Sequence, residues 1–310
     1  MSYTIITALD SFYEKGLQLF IRNLELQAQL GYKLNIVILD NGLTEAQREW
    51  SLAEIAKINE STKSLYTLQF AQIDLDKLNH LDCLYNQSVA TYSKLFIPEV
   101  VQESDALYID PDMIITLSIK GMIDYCRSVK ANYGMCSDQI NMVLAQQCPW
   151  LEQLSSEERM LPYCNAGLIY FNLKYAREHN FTQRGLELMN DKQVELKYYD
   201  QTLINFLLRG EITNLPESFN VTRNYNLYLS TWQRNTNIHF IGGFKPWNKS
   251  KHLKHQEGIK IYREWMGLER LEPRTYNYFK EWLARLKLFI TSRPKRRFKE
   301  MAKLIVPKGY

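Results

Sequence analysis

"YTIITALD" (residues 3–10), "EKGLQLFIRNLELQAQL" (14–30) and "LNIVILDNG" (34–42) follow one another with only short polar joins. The first and third are apolar almost throughout and rich in β-branched residues, which fits strands covered on both faces. In the middle segment Leu17, Phe20, Ile21 and Leu24 recur at three- and four-residue spacing, which predicts a helix. Strand, helix and strand in so short a stretch is the unit of a largely parallel sheet with helices on its faces.

The pattern continues outward. "LTEAQREWSLAEIAKI" (43–58) reads as a second helix, and "LQFAQID" (68–74), "ALYIDPD" (106–112), "AGLIYFNL" (166–173) and "IHFIGG" (238–243) read as further strands bounded by turn-formers. A helix is expected over Lys174–Asn190, and another from about Asp200 that stops at Gly210 as a helix C-terminus would. After Trp247 the composition turns helical and basic. The expected organisation is an α/β catalytic domain over 1–250 with a mixed central sheet, followed by a helical, basic appendage over 251–310.

At 310 residues and 45% hydrophobic content, the chain suits one large α/β domain plus an appendage, and disorder or a fibrous repeat is excluded. No apolar run reaches the roughly 18 residues of a membrane-spanning helix, and "MSYTIITALD" lacks the basic opening of a signal peptide. A cytoplasmic protein is expected. The five cysteines (Cys83, Cys126, Cys136, Cys148 and Cys164) form no C-x-x-C pair, so they read as small core residues and not as a zinc site or disulfide framework. The net charge of +4 is uneven, because nine Lys and Arg face one acid, Glu300, from Ala284 onward. Mixed with Leu, Phe and Ile, that tail reads as a surface for anionic membrane at the inner face of the cell membrane. No nucleic-acid motif accompanies it.

In open α/β sheets ligands sit beyond the carboxyl ends of the strands, so polar residues that close a strand are the leading site candidates. In "ALYIDPDMII" (106–115) Asp110 and Asp112 flank Pro111, which cannot continue a central ladder. Residues two apart in an extended chain point to one side, so the two carboxylates are expected to converge, and two such charges call for a cation between them. A hard divalent ion such as Mn2+ or Mg2+ suits oxygen ligands and completes its shell with phosphate oxygens. The competing reading is that D-P-D is simply a turn. In "HFIGGFKPW" (239–247) His239 is a candidate ligand, Gly242 and Gly243 free the backbone, and Lys245 could meet a phosphate. Asn165, Ala166 and Gly167 read as a small-residue turn ahead of a strand with room for a sugar, and Asp200 and Gln201 open a helix with groups that bond hydroxyls. Either of these last two pieces, taken alone, is also ordinary strand-entry or helix-start chemistry.

These pieces in this order resemble glycosyltransferase family 8, of the GT-A fold, and within it the bacterial lipopolysaccharide galactosyl- and glucosyltransferases. "ALYIDPDMII" resembles the family's D-x-D strand end, "HFIGGFKPW" its H-x-x-G-x-x-K-P-W element, and "ATYSKLFIPEVV" (90–101) its helix ahead of D-x-D, with Lys94 where close relatives often carry Arg. The resemblance implies that Asp110, Asp112 and His239 hold Mn2+, and that Gly242 and Lys245 contact the diphosphate of a UDP-sugar, with Pro111 between the metal ligands. It places Thr7, Ala8 and Asp10 at the uridine end. It places Lys94, Asp138, Asn165, Ala166, Asp200 and Gln201 around the transferred galactose or glucose, with Gln201, Asp200 and Lys245 in catalytic positions. It further implies retention of anomeric configuration and a saccharide acceptor of lipopolysaccharide or another surface glycan, oligosaccharide or lipid-linked. The rival readings are a sugar-nucleotide nucleotidyltransferase, which would need a basic Gly-rich loop after the first strand where this chain has "TALDSFYEKG", and a non-catalytic membrane-bound scaffold.

Overall fold

The computed structural model describes residues 3–74, 90–138, 143–144, 154–191, 196–222, 235–248, 250 and 253–268. The first compact unit runs from Met1 to Gly267, 17 residues beyond the expected boundary at 250. The basic tail expected at the membrane lies outside the described residues, as do Cys83 and Cys148.

In chain order the unit is built from β1 (Tyr3–Leu9), α1 (Glu14–Ala28), β2 (Lys33–Asp40), α2 (Glu45–Ser61), β3 (Leu65–Gln72), a 3-10 stretch (Ala90–Phe96), α3 (Ile97–Val100) and β4 (Asp105–Ile109). There follow β5 (Met113–Ile114), α4 (Ile119–Ser128), β6 (Tyr133–Ser137), α5 (Ser156–Arg159), β7 (Cys164–Asn172), α6 (Leu173–Glu178), α7 (Phe181–Asn190), α8 (Tyr199–Leu207), β8 (Ile212–Asn214), β9 (Ile238–His239) and α9 (Leu253–Trp265). Among the described residues a seven-stranded sheet has the order β3-β2-β1-β4-β7-β6-β8, and β5 pairs with β9 in a separate small sheet. Strands β3, β2, β1 and β4 are parallel, whereas β7 runs antiparallel to both β4 and β6.

Burial on both faces explains the unbroken apolar runs. Ile5, Ile36, Leu107 and Ile109 pack with α1, α2 and α4 on one side, while their neighbours Ile6, Val37, Ala106 and Tyr108 pack with residues 92–101 and α6–α8 on the other. Helix α1 buries Leu17, Phe20, Ile21 and Leu24, the stripe legible in the sequence. Helix α2 starts at a capping box in which Thr44 and Gln47 exchange side-chain-to-backbone bonds. Cys126, Cys136 and Cys164 are free and buried, and burial pushes the Cys126 and Cys164 thiols up to about 12.

Two expectations are corrected here. The single helix over Lys174–Asn190 is two helices, because Asn180 takes a left-handed conformation (φ 51°) that ends one and starts the next. Asn165, Ala166 and Gly167 do not precede a strand but lie inside β7.

Candidate active site

The parallel run of β1 and β4 puts Thr7, Ala8 and Asp10 at the same sheet edge as Asp110. After Ile109 the Asp110 N–H still donates to Gly167 O of β7 at 2.7 Å, and the chain then turns, Met113 N–H bonding Asp110 O at 3.3 Å. The two carboxylates therefore converge across a tight turn and not along an extended strand, which corrects the geometry expected from their spacing. The chain then forms β5, whose Met113 pairs with His239 of β9, while Phe240 N–H donates to Asp112 O at 3.1 Å. Residues far apart in sequence are thus carried to one point by the backbone.

At that point Nε2 of His239 lies 3.2 Å from Asp112 Oδ1 and 3.6 Å from Asp110 Oδ2. One ligand atom from each of the three residues falls within 4.8 Å of the others. Asp112 Oδ1 is buried without an aligned hydrogen-bond partner, a state that costs free energy unless a cation satisfies it. Two carboxylates, an imidazole nitrogen and an orphaned buried oxygen make a donor set that fits Mn2+ or Mg2+.

The flanking lysines differ in setting. Lys94, 3% exposed, donates to Asp200 Oδ2 at 2.5 Å and to Ala166 O at 3.1 Å, lies 3.2 Å from Asp110 Oδ1, and sits over the Tyr108 ring. Burial would pull its pKa down, but Asp110 and Asp200 outweigh burial and hold it above the ordinary lysine value. Tyr108 in turn donates to Asp110 Oδ1 at 2.7 Å. Lys245 ion-pairs with Asp112 Oδ2 and donates to Phe240 O at 2.8 Å. Burial would push the Asp112 carboxyl up, but Lys245 and His239 beside it hold it well below the ordinary carboxylate range. Tyr13 adds a hydroxyl to Asp112 Oδ2 at 3.3 Å; its ring lies over Gly16, where a side chain would collide with it.

On the other side Gln201 Oε1 accepts from Asn165 Nδ2 at 2.8 Å and from the Ala166 N–H at 3.3 Å, and Gln201 Nε2 donates to buried Asp138 at 3.2 Å. The carbonyl expected to face the sugar is therefore occupied by two donors. Gly167 makes room for the histidine: a Cβ there would sit 2.1 Å from His239 Cε1. Asp10 caps its own turn, accepting from the Phe12 N–H at 3.0 Å, Thr7 is fully buried, and Gly242 takes φ 80° on an exposed turn just before Lys245. The structure thus gathers Asp110, Asp112, His239, Lys245, Lys94, Asp200, Asn165, Ala166, Gln201 and Asp138 into one connected cluster, and leaves Thr7, Ala8 and Asp10 along the neighbouring edge. Tyr13, Tyr108 and Asn220, which also reach this cluster, carried no spacing signal in the sequence.

Known proteins resemble this chain to different depths. A lipopolysaccharide 1,2-glucosyltransferase of Escherichia coli (strain K12) is 26% identical over 242 residues, covering 71% of this chain and 69% of that protein. The glycosyltransferase GlyB of Streptococcus pneumoniae serotype 4 is also 26% identical, and this chain spans 53% of its length. The crystal structure of the galactosyltransferase LgtC with donor and acceptor sugar analogues superposes with a TM-score of 0.68 at 21% identity, covering 88% of this chain and 98% of that one. That likeness is one of fold, and the α/β architecture here is GT-A. The sequence model of the glycosyl transferase family 8 matches residues 4–251, from β1 to just past Trp247, so this chain belongs to that family.

Proposed function

We propose that this chain is a retaining, divalent-metal-dependent glycosyltransferase that moves galactose or glucose from a UDP-sugar to a saccharide acceptor of lipopolysaccharide type. The observation that carries the reading is the convergence of Asp110, Asp112 and His239 around a buried carboxylate oxygen without an aligned hydrogen bond, with the Lys245 ammonium beside it. A diphosphate-bearing donor is the substrate class that such a donor set and cation recognise together.

Bound there, Mn2+ or Mg2+ supplies positive charge against the diphosphate, which is worth more as that group departs. Asp110 and Asp112 are held ready by Tyr108, Lys94 and Tyr13, so little reorganisation remains for the moment of reaction. Lys245 reaches the diphosphate by leaving Asp112, a short swing for a side chain that follows the Gly242–Gly243 turn. The bond from the anomeric carbon to the β-phosphate oxygen breaks, the acceptor hydroxyl oxygen bonds to that carbon, and its proton passes to the departing phosphate oxygen. A same-face course suits these residues, because Asp200 is tied to Lys94 and Gln201 carries an amide, neither of which is a ready nucleophile.

The basic tail from Ala284 onward is proposed to bring the enzyme to an anionic membrane surface where a lipid-linked acceptor is presented. Among the described residues no helix is long and apolar enough to cross a membrane.

The test is a panel of UDP-sugars with released UDP as readout and the product anomer read by NMR. UDP release confined to UDP-galactose or UDP-glucose, with a retained anomer, is expected. An inverted product, or a glycosyl adduct trapped on Asp200, contradicts the same-face course.

A further inference from the structure

The imidazole of His239 is addressed from two sides. Its Nε2 faces the carboxylates, while Nδ1 lies 3.0 Å from Asn165 Oδ1 and 3.1 Å from Asn220 Oδ1. The backbone decides which way these two amides point. The Gly167 N–H, a donor that cannot be reversed, bonds Asn165 Oδ1 at 2.9 Å, and Asn220 Nδ2 donates to the same oxygen at 2.8 Å. That turns Asn220 Oδ1 toward the ring. Both atoms facing Nδ1 are then acceptors, so Nδ1 carries a hydrogen in either charge state and Nε2 is the atom presented to Asp110 and Asp112.

The two acceptors are not equal. Asn165 Oδ1 already receives the Gly167 N–H and the Asn220 amide, which match its two lone pairs. Asn220 Oδ1 is the oxygen with capacity for the imidazole N–H. Asn220 is fully buried, and its chain is laced to that of the histidine: His239 N–H donates to Val221 O at 3.0 Å, and Val221 N–H to Asn237 O at 3.2 Å. Ring and acceptor are thereby carried on paired segments.

We propose that Asn220 is a positioning residue for His239: its side-chain oxygen holds the Nδ1–H so that Nε2 faces the carboxylate pair. The inference rests on the metal reading of the site. Partners of this kind around metal-bound histidines change metal affinity by about 10- to 100-fold when removed.

The experiment titrates Mn2+ into the full chain, with and without UDP, following free Mn2+ by its EPR signal and the fold by circular dichroism. Asn220→Ala is expected to bind Mn2+ about 10- to 100-fold more weakly with an unchanged fold. Asn220→Asp keeps an acceptor against Nδ1–H and is expected to stay within about threefold of the parent, well inside that loss. Undiminished binding by Asn220→Ala overturns the proposal, as does equal weakening of both variants, which would assign the effect to packing. Should Asn220→Ala not fold, Asn220→Asp decides: near-parent affinity supports the proposal and a loss above about tenfold overturns it. A parent chain that binds no Mn2+ under either condition overturns the metal reading itself, and is told apart from the other outcomes by that control.

Discussion

Lys94 and Lys245 each face one carboxylate of the D-P-D turn, and the resemblance between them ends there. Lys94 is buried, its ammonium shared among Asp110, Asp200 and the Ala166 carbonyl, so it ties the 3-10 stretch, β4, β7 and α8 together. Lys245 is more exposed, engages Asp112 and the Phe240 carbonyl among its partners, and follows two glycines. The inner ion pair is a fixed strut, whereas the outer one is a charge that can be handed over. The difference teaches that a single carboxylate pair can be half frame and half binding site.

The largest expected effect breaks the inner half. Lys94→Met leaves Asp110 and Asp200 without their cation in a buried setting, and the unfolding free energy measured in urea should fall by about 3–5 kcal/mol. Mn2+ should restore it only in part, since Asp110 belongs to the ligand set but Asp200 lies outside it. A smaller loss, about 1.5–3 kcal/mol, is expected for Lys245→Met, because His239 still faces Asp112. Here Mn2+ should raise the melting temperature more than in the parent, the cation binding without displacing an ammonium. Equal rescue of both variants would erase the distinction between strut and movable charge.

The third expectation concerns pH and is the smallest. The folded value of Asp112 lies below the unfolded carboxylate value of about 3.9, so its contribution to stability is complete above that value and is lost as the pH falls through the folded value. Urea midpoints should stay level from about pH 7 to 5 and drop below about pH 4, with a shallower drop in Asp112→Asn. An unchanged acid limb in that variant would count against the ion-pair account.

The sequence carried the parallel half of the sheet clearly, because strands buried on both faces are apolar throughout and the intervening helices show their stripe. The other half was harder. Strand β6, "YGMCS", and β8, "ITN", are short and lack alternation, and Gly134 of β6 gives up its side-chain space to Leu215. Asp110, Asp112, His239 and Lys245 were legible because charge at a strand end is costly without a purpose. Their geometry was not, since the chain turns between the carboxylates where an extended strand was expected, and the β5–β9 pairing that delivers His239 is a long-range event. That Gly167 leaves room for the imidazole was not legible, because the histidine comes from 72 residues further along the chain. Asn220 lies 19 residues from His239 in a segment without periodicity, so only the fold brings it forward.

The central claim is that the Asp110–Asp112–His239 cluster holds the metal on which sugar transfer depends. It is tested most directly by UDP release from UDP-galactose and UDP-glucose after chelation and after Mn2+ is returned, beside Asp112→Asn at matched folded concentration. The account predicts no release after chelation, full recovery with Mn2+ in the parent, and none in Asp112→Asn. Metal-independent release, or normal turnover by Asp112→Asn, would contradict it.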